Sequence, residues 1–490
     1  MNYLYFEKGK KMNLKLNYKR TFLIGFAFLG ILLLWQVYDS WCPTFLTDIF
    51  AQRMFGETSA QLKSGDPDKL LEVQWIVGLI MACDNLAALI PLPIFGSLSD
   101  KTKTPIGKRM PYILVGTFVA ALAFPFIPLL FHLNKIFGMI IMMLIVLLFM
   151  MMYRNPAVAL MPDITPKPLR AKANGIINIM GYIGGAFATV LGIFLKLSDY
   201  IDVSSENRKL WIIEIPFIVA SVLMAISALV LFFTIKENKL AVELKEEMEE
   251  GENYAATVTR VEEDKPMSKE NRKMLLAILG AEFLWFMCDN ALGTYIGNYV
   301  IYGLNSASNN TGTLIIVGGL ASVIGFAIAG FIADKVGRKW TVVSGLAITF
   351  IGLLIMAFFV FKGKEYVTVI SGEEVTLNKF PVVLYAVWVL KGFGMSLVHN
   401  CSFPMVVELC PNSKIGKFTG YYYAASMSAQ TITPVLLGFI LFKTKSWNAL
   451  PMYSWILIGL STLVFFLLVK NIKSSKVQNV KGLEALGADD

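Results

Sequence analysis

The sequence predicts an all-α membrane protein in which twelve transmembrane helices form two pseudo-symmetric six-helix bundles. Of the 490 residues, 56% are hydrophobic and only 16% are charged, and the mean hydropathy is +0.61. Long apolar stretches recur along the chain, and three short motifs occur twice, once in each half. The hydropathy excludes an ordinary soluble domain, and the doubled motifs indicate a duplicated unit.

Each apolar stretch is long enough to cross a bilayer, because about 20 helical residues span a hydrocarbon core of about 30 Å. The stretches are continuous, whereas the strands of a membrane β-barrel alternate over about ten residues. The twelve predicted spans are residues 20–48, 73–97, 112–131, 136–160, 173–197, 210–235, 273–302, 313–333, 340–361, 380–406, 419–441 and 450–470.

The distribution of Lys and Arg predicts the orientation of these spans. If both termini are cytoplasmic, the cytoplasmic segments hold 30 of the 44 Lys and Arg residues and the external segments hold 12. Membrane proteins carry such an excess on the cytoplasmic side. We therefore expect a multi-pass protein of the plasma (inner) membrane with cytoplasmic N and C termini. The net charge of +9 then reflects topology, and no nucleic-acid partner is expected.

A charged segment divides the spans into two groups of six. Residues 236–272 contain no long apolar stretch and are predicted to form a cytoplasmic linker. We expect this linker to be a solvated tether, with a regulatory docking element as the alternative. The N-terminal half then covers residues 1–235 and the C-terminal half covers residues 273–490.

The first doubled motif places an aspartate inside the first span of each half. Residues 35–48 read WQVYDSWCPTFLTD and residues 285–298 read WFMCDNALGTYIGN. Three residue types recur in register: Trp35 with Trp285, Asp39 with Asp289, and Thr44 with Thr294. A charge at mid-bilayer costs about 2.5–3.5 kcal/mol on insertion scales, so it usually faces a polar cavity. Because each Trp lies one turn from its Asp, ring and carboxylate share a helix face that suits a sugar, with core packing or lipid contact of the rings as the alternative.

The second and third doubled motifs follow spans 2 and 8 and end spans 4 and 10. GSLSDKTKTPIGKRMP at 96–111 matches GFIADKVGRKW at 330–340, and RNPAVALMPDITP at 154–166 matches HNCSFPMVVELCP at 399–411. Acids at these helix ends can accept charge-assisted hydrogen bonds from nearby Arg and Lys, which would form a latch that closes the cytoplasmic face. The predicted latch residues are Gly96, Asp100, Gly107, Lys108, Arg109, Asp163, Gly330, Asp334, Gly337, Arg338, Lys339 and Glu408.

The doubled loop motif resembles the Gly–x–x–x–Asp–…–Gly–Arg–Lys loop of the Major Facilitator Superfamily. Its longer first copy, SDKTKTPIGKRMPYIL, resembles that of the glycoside–pentoside–hexuronide:cation symporters and the related sucrose/proton cotransporters. MPDITP after span 4 resembles the sucrose branch. The resemblance implies import of a di- or oligosaccharide or glycoside with H⁺ or Na⁺, and a central cavity lined by spans 1, 4, 7 and 10.

The resemblance does not transfer individual substrate residues. The paired acids that the melibiose branch carries in span 2 would fall at Ala88 and Leu92, and Val158 stands where the sucrose branch has an Arg. The candidate substrate and cation site therefore rests on the polar residues within the spans. These are Trp35, Asp39, Asp84, Asn85, Arg154, Asn155, Trp285, Asp289, Asn290, His399, Asn400 and Gln430.

Two roles remain open for each acid in this set. Asp39 and Asp289 are expected to accept sugar hydroxyls or carry protons, with Asp84 as a third candidate, and Arg154 is expected to pair with one of these acids or with Asp163. The alternative for each residue is a structural hydrogen bond or ion pair between helices. His399 is as readily a packed histidine as a titrating one, and no metal site is expected.

These features predict a secondary active transporter that carries a sugar or glycoside with H⁺, or alternatively Na⁺, by alternating access. We expect a monomer with no cofactor besides the coupling ion. No motif for ATP binding, acyl transfer or metal hydrolysis occurs in the chain. The same-class alternative is a facilitator or exporter of another small polar solute. An integral-membrane enzyme would need acids clustered at a membrane face, and a sensor would need a cytoplasmic output domain.

Overall fold

The N-terminal half of the computed structural model is a helical bundle; the structure describes residues 5–7, 10–12, 14–89, 91–259, 268–409 and 415–470. A two-stranded antiparallel pair, β1 (Tyr5–Glu7) and β2 (Lys10–Met12), precedes the bundle. The long helices are α1 (Tyr18–Phe55), α3 (Asp68–Leu89), α4 (Pro91–Lys101), α5 (Met110–Ala123), α6 (Phe126–His132), α7 (Ile136–Asp163), α8 (Arg170–Phe194) and α10 (Leu210–Thr234). Shorter helices connect them: α2 (Ser59–Ser64), α9 (Ser198–Ile201) and two 3₁₀ turns at Lys167–Leu169 and Ser205–Asn207.

The C-terminal half repeats the same helix order. Its helices are α13 (Lys269–Asn298), α14 (Asn309–Val336), α15 (Arg338–Phe359), α16 (Val383–Leu409), α17 (Ile415–Thr444) and α18 (Ala449–Leu468). A π-helical turn, Tyr299–Gly303, follows α13. An antiparallel hairpin of β3 (Glu365–Ile370) and β4 (Glu373–Asn378) lies between α15 and α16, where the sequence predicted only a loop.

Ten of the described helices are long and apolar enough to cross a membrane. The other two predicted spans, 73–97 and 380–406, fall on α3 with α4 and on α16. Span 3 consists of α5 followed by α6, with an interruption at Pro125. The backbone nitrogen of proline has no N–H group and cannot donate the hydrogen bond of a continuous helix. The observed architecture is the predicted all-α membrane bundle of twelve spans.

The apolar core is divided between the two halves. One cluster of buried side chains draws mainly on α1 to α10, and a second draws on α13 to α18, with Ile301 and Tyr302 joining the first and Leu71 joining the second. Close helix approaches need small residues: a Cβ added to Gly184 would overlap the backbone carbonyl of Leu29, so α8 packs directly on α1.

The segment between the halves contacts the N-terminal half at a few points. It forms α11 (Glu237–Glu243) and α12 (Lys245–Thr259), and Glu237 and Leu244 are only 4% and 7% exposed. Gly251 of α12 lies against Pro166 and the 3₁₀ turn that follows α7. Most other side chains of residues 237–253 are exposed, among them Val242 at 77%. The segment is thus helical and held at these points, while most of its described side chains remain exposed.

The bundle has two ends, which differ in the chain segments that lie there. The terminal face is the end where α1 and α13 begin and α18 finishes; the opposite face is the end where α1 finishes and the β3–β4 hairpin lies. Three helix pairs join the halves: α3 with α17, α8 with α14, and α1 with α13.

Candidate functional site

A buried set of hydrogen bonds joins the two halves near the opposite face. Asn298 of α13 accepts from Thr44 Oγ1 at 2.8 Å and donates to Thr47 Oγ1 at 2.9 Å and to Gln74 Oε1 at 3.2 Å. The Tyr295 hydroxyl donates to the Pro434 carbonyl at 2.7 Å and lies 3.4 Å from the Gln74 carbonyl. We call Thr44, Thr47, Gln74, Tyr295 and Asn298 the opposite-face network.

The opposite-face network lies inside the protein, since its members are at most 1% exposed. Buried polar groups are stable only when they are hydrogen-bonded, so each partner holds the others in place. Lys445, which directly follows α17, also pairs with Glu72 of α3 at the same end. The structure is therefore closed at the opposite face.

The face of α1 that turns toward α13 is buried at the opposite face and less so in its middle. Thr44 and Thr47 on this face are buried against Asn298. Farther from the opposite face, Ser40 and Gln36 are half-buried and Asp39 is exposed. The middle of α1 therefore keeps free surface beside the buried contact between the halves.

Asp289 sits in a cluster of charged and titratable side chains between α13 and α16. Its Oδ1 is 2.7 Å from Lys391 Nζ, and its Oδ2 is 3.4 Å from His399 Nε2. Lys391 and His399 are eight residues apart, so they share one face of α16 about 12 Å apart along the axis, on either side of the carboxylate. The ion pair lowers the cost of placing either charge within the membrane.

Asp39, the repeat counterpart of Asp289, has different surroundings. Its side chain is exposed, whereas the Asp289 side chain is only 22% exposed. In the register of the third doubled motif, Lys391 corresponds to Val146 and His399 corresponds to Arg154. The N-terminal half therefore offers no lysine at the position that neutralises Asp289.

The two tryptophans also differ. Trp35 is half-buried, and its ring meets Tyr38 edge-on at 5.8 Å. Trp285 is fully buried, 6.3 Å from the ring of Phe465. The predicted shared face of ring and carboxylate does not make Trp285 a sugar platform in this conformation, because its ring has no free surface. The core of the C-terminal half uses that ring for packing.

Several polar atoms near the acids are buried without a hydrogen-bond partner in the described part of the chain. They are Trp35 Nε1 on α1, Trp285 Nε1 and Asn290 Oδ1 on α13, and Asn400 Oδ1 on α16. Other such atoms occur elsewhere, for example in Ser221 and Tyr453. Each of the first four atoms is adjacent in sequence to a candidate acid or His399, or one turn away from it. Because the Trp285 ring is fully buried, the other three leave one donor and two acceptors for a polar ligand that reaches them.

The remaining predicted site residues form no ion pair with Asp289 among the described residues. The Arg154 guanidinium is half-buried and forms no ion pair with any described acid, so its predicted pairing with Asp163 is wrong. Asn155 lies against Gly96, where any added Cβ would overlap its amide. Gln430 is half-buried on α17. Asp84 and Asn85 belong to α3, and their side chains lie outside the described residues.

The predicted latch residues of the N-terminal half come together at the terminal face. Arg109 Nε donates to Asp163 Oδ2 at 2.9 Å, its Nη1 donates to Ser99 Oγ at 2.5 Å, and its Nη2 pairs with Asp100. Lys108 Nζ is 3.1 Å from Asp163. Burial alone would lower the pKa of Arg109, but Asp163 and Asp100 outweigh it and raise the pKa. All of these contacts lie within one half.

Glu237 also belongs to this network, although no sequence motif predicted its role. Its carboxylate accepts from the backbone N–H groups of Lys108, Arg109 and Met110 at 3.0 to 3.2 Å, at the start of α5. A carboxylate is favourable there because helix N-termini carry unpaired N–H groups and positive dipole charge. Gly107 has a φ of 122°, and a Cβ there would overlap the Glu237 carboxylate. Only glycine therefore suits this position of the predicted latch.

The equivalent residues of the C-terminal half are described only in part. Asp334 is exposed and forms no ion pair within the described residues. Lys339 lies over the rings of Trp340 and Phe466 at 5.3 and 5.5 Å. Gly337 links α14 to α15 with φ of 89°, while Gly330 faces open space. Arg338 begins α15, and the Glu408 side chain lies outside the described residues.

Three features together define a class of protein: a membrane bundle of two similar halves, closed at one end, with charged residues at mid-span. Membrane transporters that work by alternating access have this design. No group of three or more His, Cys, Asp or Glu side chains suited to a metal ion occurs among the described residues.

The sequence model of the Major Facilitator Superfamily matches residues 70–372 and 278–487, which together cover most of the chain. The protein therefore belongs to the Major Facilitator Superfamily. A comparison with curated protein sequences finds no match.

Solved structures of transporters share the fold at low sequence identity. The inward-open xylose transporter XylE from E. coli is 15% identical, with a TM-score of 0.60 over 96% of this chain and 98% of that one. A bacterial homolog of the human lysosomal transporter Spinster, inward-facing and occupied, is 12% identical, with a TM-score of 0.61 over 95% and 100%. A mutant of the nucleoside transporter NupG is 12% identical, with a TM-score of 0.57 over 91% and 98%.

Proposed function

We propose that this protein is a secondary active symporter that carries a sugar or glycoside across the membrane together with a proton. The substrate would bind at mid-membrane between α1, α7, α13 and α16. Asp39 and Asp289 would accept sugar hydroxyls or carry the coupling ion. The substrate would be released toward the terminal face, because buried hydrogen bonds close the opposite face.

The observation that carries this proposal is a set of buried polar atoms that lie beside the acids. Trp35 Nε1, Asn290 Oδ1 and Asn400 Oδ1 are buried without a partner in the described part of the chain. An unpaired buried donor or acceptor costs about 1–3 kcal/mol, which a hydroxyl-rich ligand would recover by bonding to it. A sugar offers both donors and acceptors in a compact ring, as these mixed groups require.

Energy for accumulation is available without a nucleotide site. One charge that crosses a potential of 100 mV gains about 2.3 kcal/mol, which corresponds to roughly 50-fold accumulation. We further propose that the terminal face is cytoplasmic and that the protein works as a monomer in the plasma (inner) membrane. Protons and substrate would then enter the cell together.

The test is proton movement in cells that express the protein. A panel of disaccharides and glycosides is added to a lightly buffered suspension, and the external pH is followed. We expect alkalinisation with at least one sugar, because symport removes protons from the medium. The response should be lost in Asp39→Asn and in Asp289→Asn. It should persist in Asp66→Asn, since Asp66 is an exposed residue of the loop at the opposite face.

The same suspension separates the alternatives. Uptake of labelled sugar that depends on Na⁺ and leaves the pH unchanged would replace the proton with Na⁺ as the coupling ion. Uptake that dissipates to equal concentrations inside and outside would indicate a facilitator. If no sugar enters with either cation, the sugar proposal is wrong, and the two aspartates serve another solute or the contact between helices.

A further inference from the structure

The β3–β4 hairpin is fixed to the C-terminal half at its base. The Asn378 backbone N–H donates to the Asn305 carbonyl at 2.7 Å, and its side chain donates to the Leu304 carbonyl at 3.0 Å. Asn305 in turn donates to the Thr376 carbonyl at 3.2 Å. Leu377 and Asn378 are 2% and 5% exposed. The base of the hairpin is therefore bound to the chain that follows α13, and the hairpin moves with that half.

Facing the hairpin, the loop between α9 and α10 is fixed to the N-terminal half by two ion pairs. Arg208 donates through both terminal nitrogens to Asp48 of α1, at 2.6 and 3.1 Å, and Asp48 is fully buried. Asp202 pairs with Lys63 at 2.7 Å. Burial opposes the charge on Arg208, but Asp48 outweighs it and raises the pKa of Arg208. The loop therefore moves with the N-terminal half.

Glu373, beside the hairpin turn, binds this loop across the boundary between the halves. Its carboxylate accepts from the Ser204 backbone N–H at 2.9 Å, from the Ser204 hydroxyl, and from Asn207 Nδ2 at 2.6 Å. The hydrogen bonds from Ser204 and then Asn207 hold the pKa of Glu373 below its usual range. One carboxylate thus connects two anchored elements that belong to different halves.

We propose that the β3–β4 hairpin is an acid-sensitive clasp, in which Glu373 bound to the Ser204–Asn207 loop holds the two halves together at the opposite face and acid on that face releases them. Opening toward this face must separate α13 from α1, and Glu373 must then leave its three donors. The clasp is a gating element of the transport cycle, so it rests on the alternating access in the proposed function.

The direction of the pH effect follows from the hydrogen bonds. The ionised carboxylate accepts all three, so the clasp is complete above the ordinary glutamate pKa of about 4.3 and is lost as the pH falls through the lowered value. The other charged groups around the contact are Lys196, Asp199, Asp202, Glu206, Arg208, Lys209, Glu365 and Glu374. In the described part of the chain none of these acids accepts a hydrogen bond from Ser204 or Asn207, so the loss of the three bonds to Glu373 sets the sign.

The experiment measures the distance across the contact in the purified full-length protein, with spin labels at Glu206→Cys and Val367→Cys in a background without native cysteines. Both positions are exposed. In lipid nanodiscs at pH 7.5 we expect one short distance, and at pH 4 a second, longer population. Because the contact is exposed, the ratio of the two populations should change by about two- to fivefold.

Glu373→Gln should show the longer population at both pH values and lose the pH response. Glu374→Gln is the matched control: it removes the same charge from the adjacent, outward-facing residue and should behave as the parent protein. Asn207→Ala should weaken the clasp at pH 7.5. An unchanged distance at pH 4, or a Glu373→Gln variant identical to its parent, overturns the proposal. No substrate is needed, so the outcome is independent of whether the cargo is a sugar.

Discussion

Asn298 of α13 and Thr44 of α1 are hydrogen-bonded across the boundary between the two halves, with 2.8 Å between Oδ1 and Oγ1. The bond is fully buried and lies about one turn beyond Asp39. The element that seals the opposite face is thus adjacent to the candidate substrate site. Ligand binding at Asp39 and opening of this face can influence each other through a single turn of α1.

Replacement of Asn298 by Ala should favour opening of the opposite face. The change leaves Thr44, Thr47 and Gln74 without their shared partner, which should weaken the closed state by about 1–3 kcal/mol. A cysteine at Ser40, just below the network, should then react faster with a membrane-impermeant maleimide applied from that face. Asn134→Gly is the control, because the Asn134 side chain donates to Gln52 of the same half and glycine adopts its φ of 54° without strain. Equal labelling rates in the two variants would contradict the sealing role.

Lys391→Met should be destabilising by itself and less so beside Asp289→Asn. The single change leaves the Asp289 carboxylate without the ion pair that offsets its burial, at a cost of about 3 kcal/mol for a pair that is one-fifth exposed. Thermal unfolding of both single variants and the double variant forms a mutant cycle. A coupling free energy near zero would show that the two charges stabilise the fold independently.

Glu237→Ala should lower the stability of the terminal face. Three backbone N–H groups at the start of α5 lose their acceptor, and this loss should cost about 1–3 kcal/mol. Thermal unfolding in detergent measures the change. Glu243→Ala serves for comparison, since Glu243 is exposed and pairs with Lys239 one turn away. If the two variants unfold at the same temperature, Glu237 does not fix the Arg109 loop.

Gly78→Ala should interfere with the contact between α3 and α17. An added Cβ at Gly78 would overlap the Pro434 carbonyl and the Tyr295 hydroxyl, and such overpacking costs about 1–3 kcal/mol. Because Pro434 belongs to the other half, we expect faster maleimide labelling at Ser40→Cys. Gly319→Ala, which meets open space, should leave labelling unchanged. A shift in both variants would point to a general effect of helix glycines.

Much of the fold could be predicted because hydropathy and repetition are local properties of the sequence. Runs of apolar residues located the spans, and the doubled motifs placed Asp39 and Asp289 at equivalent positions of α1 and α13. The N-terminal latch was also accessible, because Asp100 and Arg109 are nine residues apart in a short loop.

What the sequence did not reveal depends on contacts between distant segments. Lys391 lies 102 positions from Asp289, and Glu237 lies 128 from Arg109, so no spacing rule could pair them. The burial of Trp285 is set by Phe465 of α18, although its repeat partner Trp35 is half-buried. A repeat predicts which helix a residue lies on, but the neighbours of that helix decide what the residue does.

The position of Asn298 makes the seal between the halves asymmetric. The repeat aligns Asn298 with Asp48, and Asp48 bonds to Arg208 instead of the other half. A carboxylate only accepts hydrogen bonds, whereas Asn298 accepts from Thr44 and donates to Thr47 and Gln74. Two identical halves with aspartate at this position could not form this seal. Because both halves belong to one chain, each carries the residue that its own neighbours require.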